Sequence, residues 1–314
     1  MNKQPPKAKD KYKILNWSSY NESLKQRGSI TLWFSSNAIE SWEYTGKRMR
    51  GGKLIYSDTA IKTCLIIRKI YGLKLRQTEG FMNSLVRLLN IECPIPDYSR
   101  LSRRAKTLKI SLKKFKKGEH LDIVVDSTGL KVYGEGEWKV RKHGWSKHRT
   151  WRKLHLGMNP DTHEIVAEIL TDNGVDDGKV VDDLLKEVPA NIKNFRGDGA
   201  YDKIKVRTLL TEMDVGQIIP PQHNAVINSK SNPALKTRDD SIKRIAEVGR
   251  AEWKKEIGYH KRSLGEVAMF RYKTILGDKL MSRKFENEVI EARIGCLILN
   301  EMTKLGMPIS KKSA

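Results

Sequence analysis

Three acidic residues, far apart in a chain of 314, stand in contexts that ordinary solvation explains poorly. Asp126 closes the apolar run in Val124-Val125-Asp126-Ser127-Thr128-Gly129. A carboxylate at the end of a buried-type strand is costly to desolvate unless a cation or a hydrogen-bond donor meets it. Asp198 lies in Phe195-Arg196-Gly197-Asp198-Gly199-Ala200-Tyr201, between glycines that admit close approach by backbone, ion or substrate. Asp202 is the expected helix N-cap there, which leaves Asp198 without an evident local role. Glu266 follows Tyr259 and Arg262, with Lys273 further along the same predicted helix. At about 100° per residue, Arg262, Glu266 and Lys273 fall at roughly 300°, 340° and 320° from Tyr259 if all four are helical. That sets one carboxylate among cationic and aromatic groups. Leu264, Val267, Ala268 and Ile275 are left to pack on a sheet. Plainer readings stand beside these: a turn cap at Asp126, and a solvated Arg–Glu pair at 262 and 266.

Tyr, two residues, Arg, three residues, Glu, six residues, Lys resembles the Y(2)R(3)E(6)K signature of bacterial insertion-sequence DDE transposases. VVDSTGLK around Asp126 and RGDGAYD around Asp198 are similar to that family's first and second aspartate motifs, in the same order. WRKLHL at 151–156 and PDYSRLSRR at 96–104 also resemble its text, so the likeness spans nearly the whole chain. It implies an RNase H-like catalytic domain in which Asp126, Asp198 and Glu266 are catalytic and bind two Mg2+ or Mn2+ ions. Such hard cations take oxygen ligands, and a pair of them activates an oxygen nucleophile while neutralising the leaving oxygen. Arg262 and Lys273 would then hold DNA phosphates, one as a fork and one as a point charge. Tyr259 would stack on a base or donate to phosphate.

Elements must bring these residues together. Apolar spacing predicts helices over 57–71, 76–89 and 99–112, with Ser57 as N-cap, Gly72 as a stop and a turn holding Pro94 and Pro96. The third helix carries Arg100, Arg103, Arg104 and Lys106, so this region reads as a helix-turn-helix-like DNA binder, against the alternative of a bundle with a solvated basic face. Beyond it come a strand over 121–125 ending at Asp126 and a hairpin over 151–158 and 163–171. A helix over 178–188, a strand over 195–198, a helix over 204–213 and a strand over 217–220 follow. After a polar, irregular 221–240, helices are expected over 242–256, 262–276 and 285–305. The fold class is α/β, an RNase H-like mixed sheet with flanking helices behind a mainly helical DNA-binding region. The expected boundaries are a disordered basic arm at 1–13, the DNA-binding region at 14–118, the catalytic domain at 119–306 and a basic tail at 307–314.

Charge supports the same division. Residues 1–118 hold 26 Lys+Arg and 8 Asp+Glu, a net of +18, within a total of +23. An excess that large makes nucleic acid the default partner, with a basic ribosome-associated protein as the alternative. Cys64, Cys93 and Cys296 are too scattered for a zinc ribbon or a disulfide framework. No apolar run approaches the ~18–20 residues of a membrane span, and the lysine-rich start is no signal peptide. No P-loop motif predicts an ATP-driven step.

The expected function is a DNA transposase working on double-stranded DNA, at transposon ends and target, away from membranes, cytoplasmic and nucleoid-associated. A homodimer on paired ends follows from the chemistry. The alternatives are an RNase H-like nuclease or resolvase, and a non-catalytic DNA-binding protein. Trp138, Trp145 and Trp151 are candidates for DNA contact or for core packing, and Trp253 for stacking on a flipped base.

Overall fold

A computed structural model describes residues 12–47, 55–112, 118–132, 151–188 and 190–312. Most of the basic arm, the Gly51-Gly52 pair, residues 113–117, Trp138, Trp145 and the last two residues lie outside these.

The front end starts with strand β1 (Tyr12–Ile14) and helices α1 (Trp17–Gln26), α2 (Ile30–Trp33) and α3 (Ser36–Glu40). Tyr12 and Lys13, expected in a disordered arm, therefore pair in a strand. Helix α4 (Asp58–Ile70) is capped as expected, the Ser57 hydroxyl accepting from the Ala60 N–H at 3.1 Å. Gly72, at φ +65°, turns the chain out of it. Helices α5 (Leu75–Leu88) and α6 (Tyr98–Ala105) follow. The helix expected over 99–112 is thus cut short. Leu108, Ile110 and Leu112 are buried at every second position, the period of extended chain rather than of a helix.

Strands β2 (His120–Val132), β3 (Trp151–Met158) and β4 (Ile165–Asp172) form an antiparallel meander. Helix α7 (Asp177–Lys186), strand β5 (Asn191–Arg196), helix α8 (Ile204–Glu212) and strand β6 (Gly216–Ile218) continue the chain. Then come α9 (Lys236–Val248), α10 (Arg250–Glu256), α11 (Ser263–Leu276), β7 (Lys279–Leu280), α12 (Phe285–Leu305) and β8 (Ser310–Lys312). The sheet runs β4-β3-β2-β5-β6, with β5 parallel to β2 and β6 parallel to β5. This is the expected mixed sheet with flanking helices. The helix expected over 242–256 begins six residues earlier, at Lys236, and breaks at Gly249, whose φ of +83° no helix continues.

One sheet face buries Ile123 and Val125 against Val181, Leu184, Val206 and Leu210 of α7 and α8. The other buries Leu130, Leu154 and Leu156 against Met269 and Tyr272 of α11 and Ala292, Cys296 and Leu299 of α12. A second stripe of α12, Ile290, Ile294, Ile298 and Met302, joins Ile61, Ile67, Met82 and Leu101 in the front-end core. Helix α12 thus crosses the boundary drawn at 118/119. Strand β8 pairs antiparallel with β1, so residues 310–312 of the expected tail are also structured.

The expectation that the first strand stops at Asp126 needs correction. Strand β2 runs on to Val132 because β3 pairs with it through Lys131. What stops is its other edge: β5 leaves after Val124, and β7 joins only at Lys131. Asp126 sits in that gap, where the neighbouring strand has peeled away.

Candidate active site

Two further segments fill the gap beside Asp126. The chain leaving β5 turns at once into a short 3-10 helix, Gly199–Tyr201, with Asp198 as its N-cap. Asp202, the expected cap, is instead fully buried and paired with Arg207 and Arg238. The second segment enters through Gly258, at φ +63°, into a 3-10 turn, Tyr259–Arg262, that leads into α11. Tyr259 is therefore not on the α-helix. Its relation to Arg262 survives because residues three apart eclipse in a 3-10 turn, just as they nearly align in an α-helix.

Gly265 brings α11 onto β2. A Cβ there would lie 3.1 Å from Val124 Cγ1 and 3.3 Å from Asp126 Cβ. The stripe of α11 on the sheet is Gly265, Ala268, Met269 and Tyr272; Val267 and Ile275, expected to pack there, are exposed.

The result is convergence. Asp126 Oδ1 accepts from the Ser127 N–H at 2.9 Å, and Asp198 Oδ1 accepts from the Ala200 N–H at 2.8 Å. Each aspartate thus spends one oxygen on the backbone and turns the other toward Arg262. Nη2 of Arg262 lies 3.4 Å from Asp126 Oδ2 and 3.8 Å from Asp198 Oδ2, while Nη1 donates to Glu266 Oε1. Burial pushes the Asp126 carboxyl above its ordinary pKa; Arg262 pulls it down, and Asp198 and Glu266 raise it further. Arg262 is itself held above its ordinary pKa by the acids, despite partial burial. Among the described residues no three acidic, His or Cys side chains are drawn tightly enough to close on a metal ion as they stand. The guanidinium lies between the three carboxylates. The donor set is nonetheless all oxygen, the choice of hard divalent cations, and each acid offers an oxygen to one centre. The residues fit such ions once Arg262 moves aside.

The other expected contacts divide. Tyr259 is half-buried beside the acids, its hydroxyl pKa raised mainly by burial. Lys273 lies on the same helix, about 10 Å along from Glu266, and does not join the cluster. On α6, Arg100 pairs with Asp97 at 3.1 Å and Arg103 donates to Ser99 Oγ at 3.0 Å. Arg104 is tied inward, to Asp58 at 2.6 Å and the Tyr56 carbonyl at 3.1 Å, and Lys106 is exposed. Trp253 is buried at 3% exposure and unavailable for stacking on a base. Trp151 is half-buried with the Lys131 ammonium over its ring. Sequence reasoning missed Lys254, whose ammonium sits 4.9 Å from the centre of the Tyr259 ring, because the contact spans the turn at Gly258.

The chain is similar to known transposases. A family described as "Transposase DDE domain" matches residues 117–300, and a second family of the same description matches residues 25–135. The structure of the piggyBac transposase synaptic complex with hairpin DNA aligns with 89% of this chain and 73% of its own. That likeness is weak, at 11% identity and a TM-score of 0.39. The family match implies a catalytic domain for metal-dependent phosphoryl transfer. The chain belongs to the transposase DDE-domain family, and it is a DNA transposase. Among the described residues no helix is long and apolar enough to cross a membrane.

Proposed function

We propose that this chain is the transposase of an insertion sequence, which binds the element's ends, cleaves DNA strands there and joins the freed 3′-OH to target DNA. Asp126, Asp198 and Glu266 are its catalytic residues and the ligands of two Mg2+ or Mn2+ ions. The strongest support is that three acids from β2, the turn after β5 and α11 each present an oxygen to one centre. Bound there, divalent ions would activate the attacking oxygen and stabilise the leaving one.

The chain's own residues supply orientation and charge. The Ser127 and Ala200 N–H groups fix one oxygen of each aspartate, so neither carboxylate must reorganise on loading. Were the acids to hold ions, Arg262 would be free to serve as a fork for the phosphate beside the scissile bond, and Tyr259 lines the same mouth. Lys273 holds a phosphate further along the strand. The front end at 14–118 engages the ends, α6 contributing Arg100, Arg103 and Lys106. Arg104, being engaged internally, holds α6 in place rather than touching DNA. Two copies act together on paired ends, in the cytoplasm on the nucleoid.

The test is cleavage of a supercoiled plasmid carrying the element's ends. The wild-type chain should nick it only with Mg2+ or Mn2+ and give strand-transfer products. Asp126→Asn, Asp198→Asn and Glu266→Gln should each lose cleavage while still binding the ends. Cleavage retained by any of the three overturns the assignment. Cleavage without strand transfer would make the chain a nuclease instead.

A further inference from the structure

Helix α5 is longer than α6 and far more exposed, and among the described residues nothing covers its outer side. Its buried residues are Thr78, Met82 and Val86. With the fully buried Met82 as the inward direction, Gly80 and Ser84 fall roughly 160° away, on either side of the outward pole. Gln77 and Arg87 flank them at roughly 140°, and Arg76 and Leu88 at roughly 120°. All six are exposed, Leu88 at 83%.

The glycine is informative. Glycine inside a helix is disfavoured against alanine, so it needs a reason. Gly80 has an ordinary helical φ, and a Cβ there would meet nothing within 4 Å. Among the described residues no close packing requires it.

Charge indicates what approaches. Glu79 is the only acid on α5, and its carboxylate is turned away to accept from the Tyr98 N–H at 2.9 Å. Arg87 has no carboxylate partner among the described residues, and Arg76 is held 4.4 Å over the Tyr98 ring. Arg103 and Lys106 of the neighbouring α6 are exposed as well. This face belongs to the region of net +18. A cationic helix face with an amide and a hydroxyl, and with its bulk removed at the centre, matches the major groove of duplex DNA.

We propose that α5, rather than α6, is the helix that reads DNA sequence, entering the major groove with the Gly80–Ser84 side foremost. This rests on the reading of the front end as the part that binds the transposon ends. Gln77, whose Oε1 accepts from the Lys74 N–H at 2.9 Å, offers its amide Nε2 to a base acceptor, Ser84 addresses a second base edge, Leu88 meets a thymine methyl, and Arg76 and Arg87 hold the flanking phosphates. Helix α6 braces α5 and adds backbone contacts.

The full-length chain would be titrated, by fluorescence anisotropy, with a labelled duplex copied from the element's outer end and with a shuffled duplex of the same composition. Wild type should prefer the end duplex. Gly80→Leu should cut that preference about tenfold or more, since one lost base contact is worth that much. Arg87→Gln should weaken both duplexes alike and lower the slope of log K against log salt by about 0.9. Gly80→Ala guards against misfolding: it should raise the Tm, because the position is open, and still reduce the preference. If wild type prefers the end duplex and both Gly80 variants keep that preference, the inference is overturned while the proposed function stands. If wild type shows no preference, the end-binding reading fails and takes the inference with it. A Gly80→Leu chain that loses solution mass by light scattering but binds DNA unchanged would make this face a contact between copies, which also overturns the inference.

Discussion

The two aspartates share a habit: each fixes one carboxylate oxygen on a backbone N–H and leaves the other for the centre. Arg262 holds that centre, and its charge offsets three carboxylates, one of them largely buried. Arg262→Gln should therefore lower stability in EDTA by about 2 kcal/mol, and Mn2+ should restore most of the loss. Thermal unfolding with and without Mn2+ checks this; equal stability in EDTA would mean that the ion pairs contribute nothing. His155 makes a second prediction. It is buried beside Lys153 and Asp177, and burial drives its imidazole down to about 4. An unfolded histidine titrates near 6.5, so between these values the unfolded chain binds the extra proton. Stability from this group is present above 6.5 and is lost as pH falls toward 4, by about 3 kcal/mol. His155→Asn should flatten that part of the pH–stability curve in denaturant titrations; an unchanged slope would refute it. Asp126 and Glu266 were legible in sequence because their contexts set charge against apolar or cationic neighbours. The pairing of Lys254 with Tyr259 was not, since it depends on a left-handed glycine between them.

Among elements, the decisive contact is α11 against β2. Gly265 allows it, and a larger residue would push the helix carrying Glu266 away from Asp126. Gly265→Val should cut cleavage about 100-fold, because a displacement of about 1 Å at a reacting centre costs that much. Far-ultraviolet circular dichroism should show the fold intact. Wild-type activity in this variant would show that the spacing of the two elements is not set here. The succession of strands and helices along the chain was largely readable, since alternating and continuous apolar runs mark hairpin and buried strands differently; the order of strands across the sheet was not. Helix ends were less so. Leu108, Ile110 and Leu112 continue a pattern that a helix could share, and only their burial at period two shows extended chain. Strand β2 passes through Asp126 because β3 pairs with it from far along the chain, a partnership that no local pattern announces.

In the whole molecule, α12 ties the parts together. Its two stripes serve the sheet core and the front-end core, and Glu291 between them accepts from Lys69 at 3.3 Å and from the Met281 N–H at 2.9 Å. The front end and the catalytic sheet should therefore melt in one calorimetric transition. Ile294→Ala, a truncation in that shared helix, should lower it as a unit by about 2–4 kcal/mol. Two separated transitions would show independent domains. The charge division was plain from composition, but the sharing of α12 was not: its apolar residues cover more than one face, which says that it is buried without saying by what.

Under the proposed function, Asp126, Asp198 and Glu266 grip divalent ions at one centre. Loading the full chain with Fe2+ in place of Mg2+ and generating hydroxyl radicals with ascorbate and peroxide would cut the backbone near bound metal. Cuts should cluster at all three positions, on β2, after β5 and on α11, and excess Mg2+ should suppress them together. Cuts at only one of the three, or cuts that Mg2+ leaves unchanged, would contradict the claim.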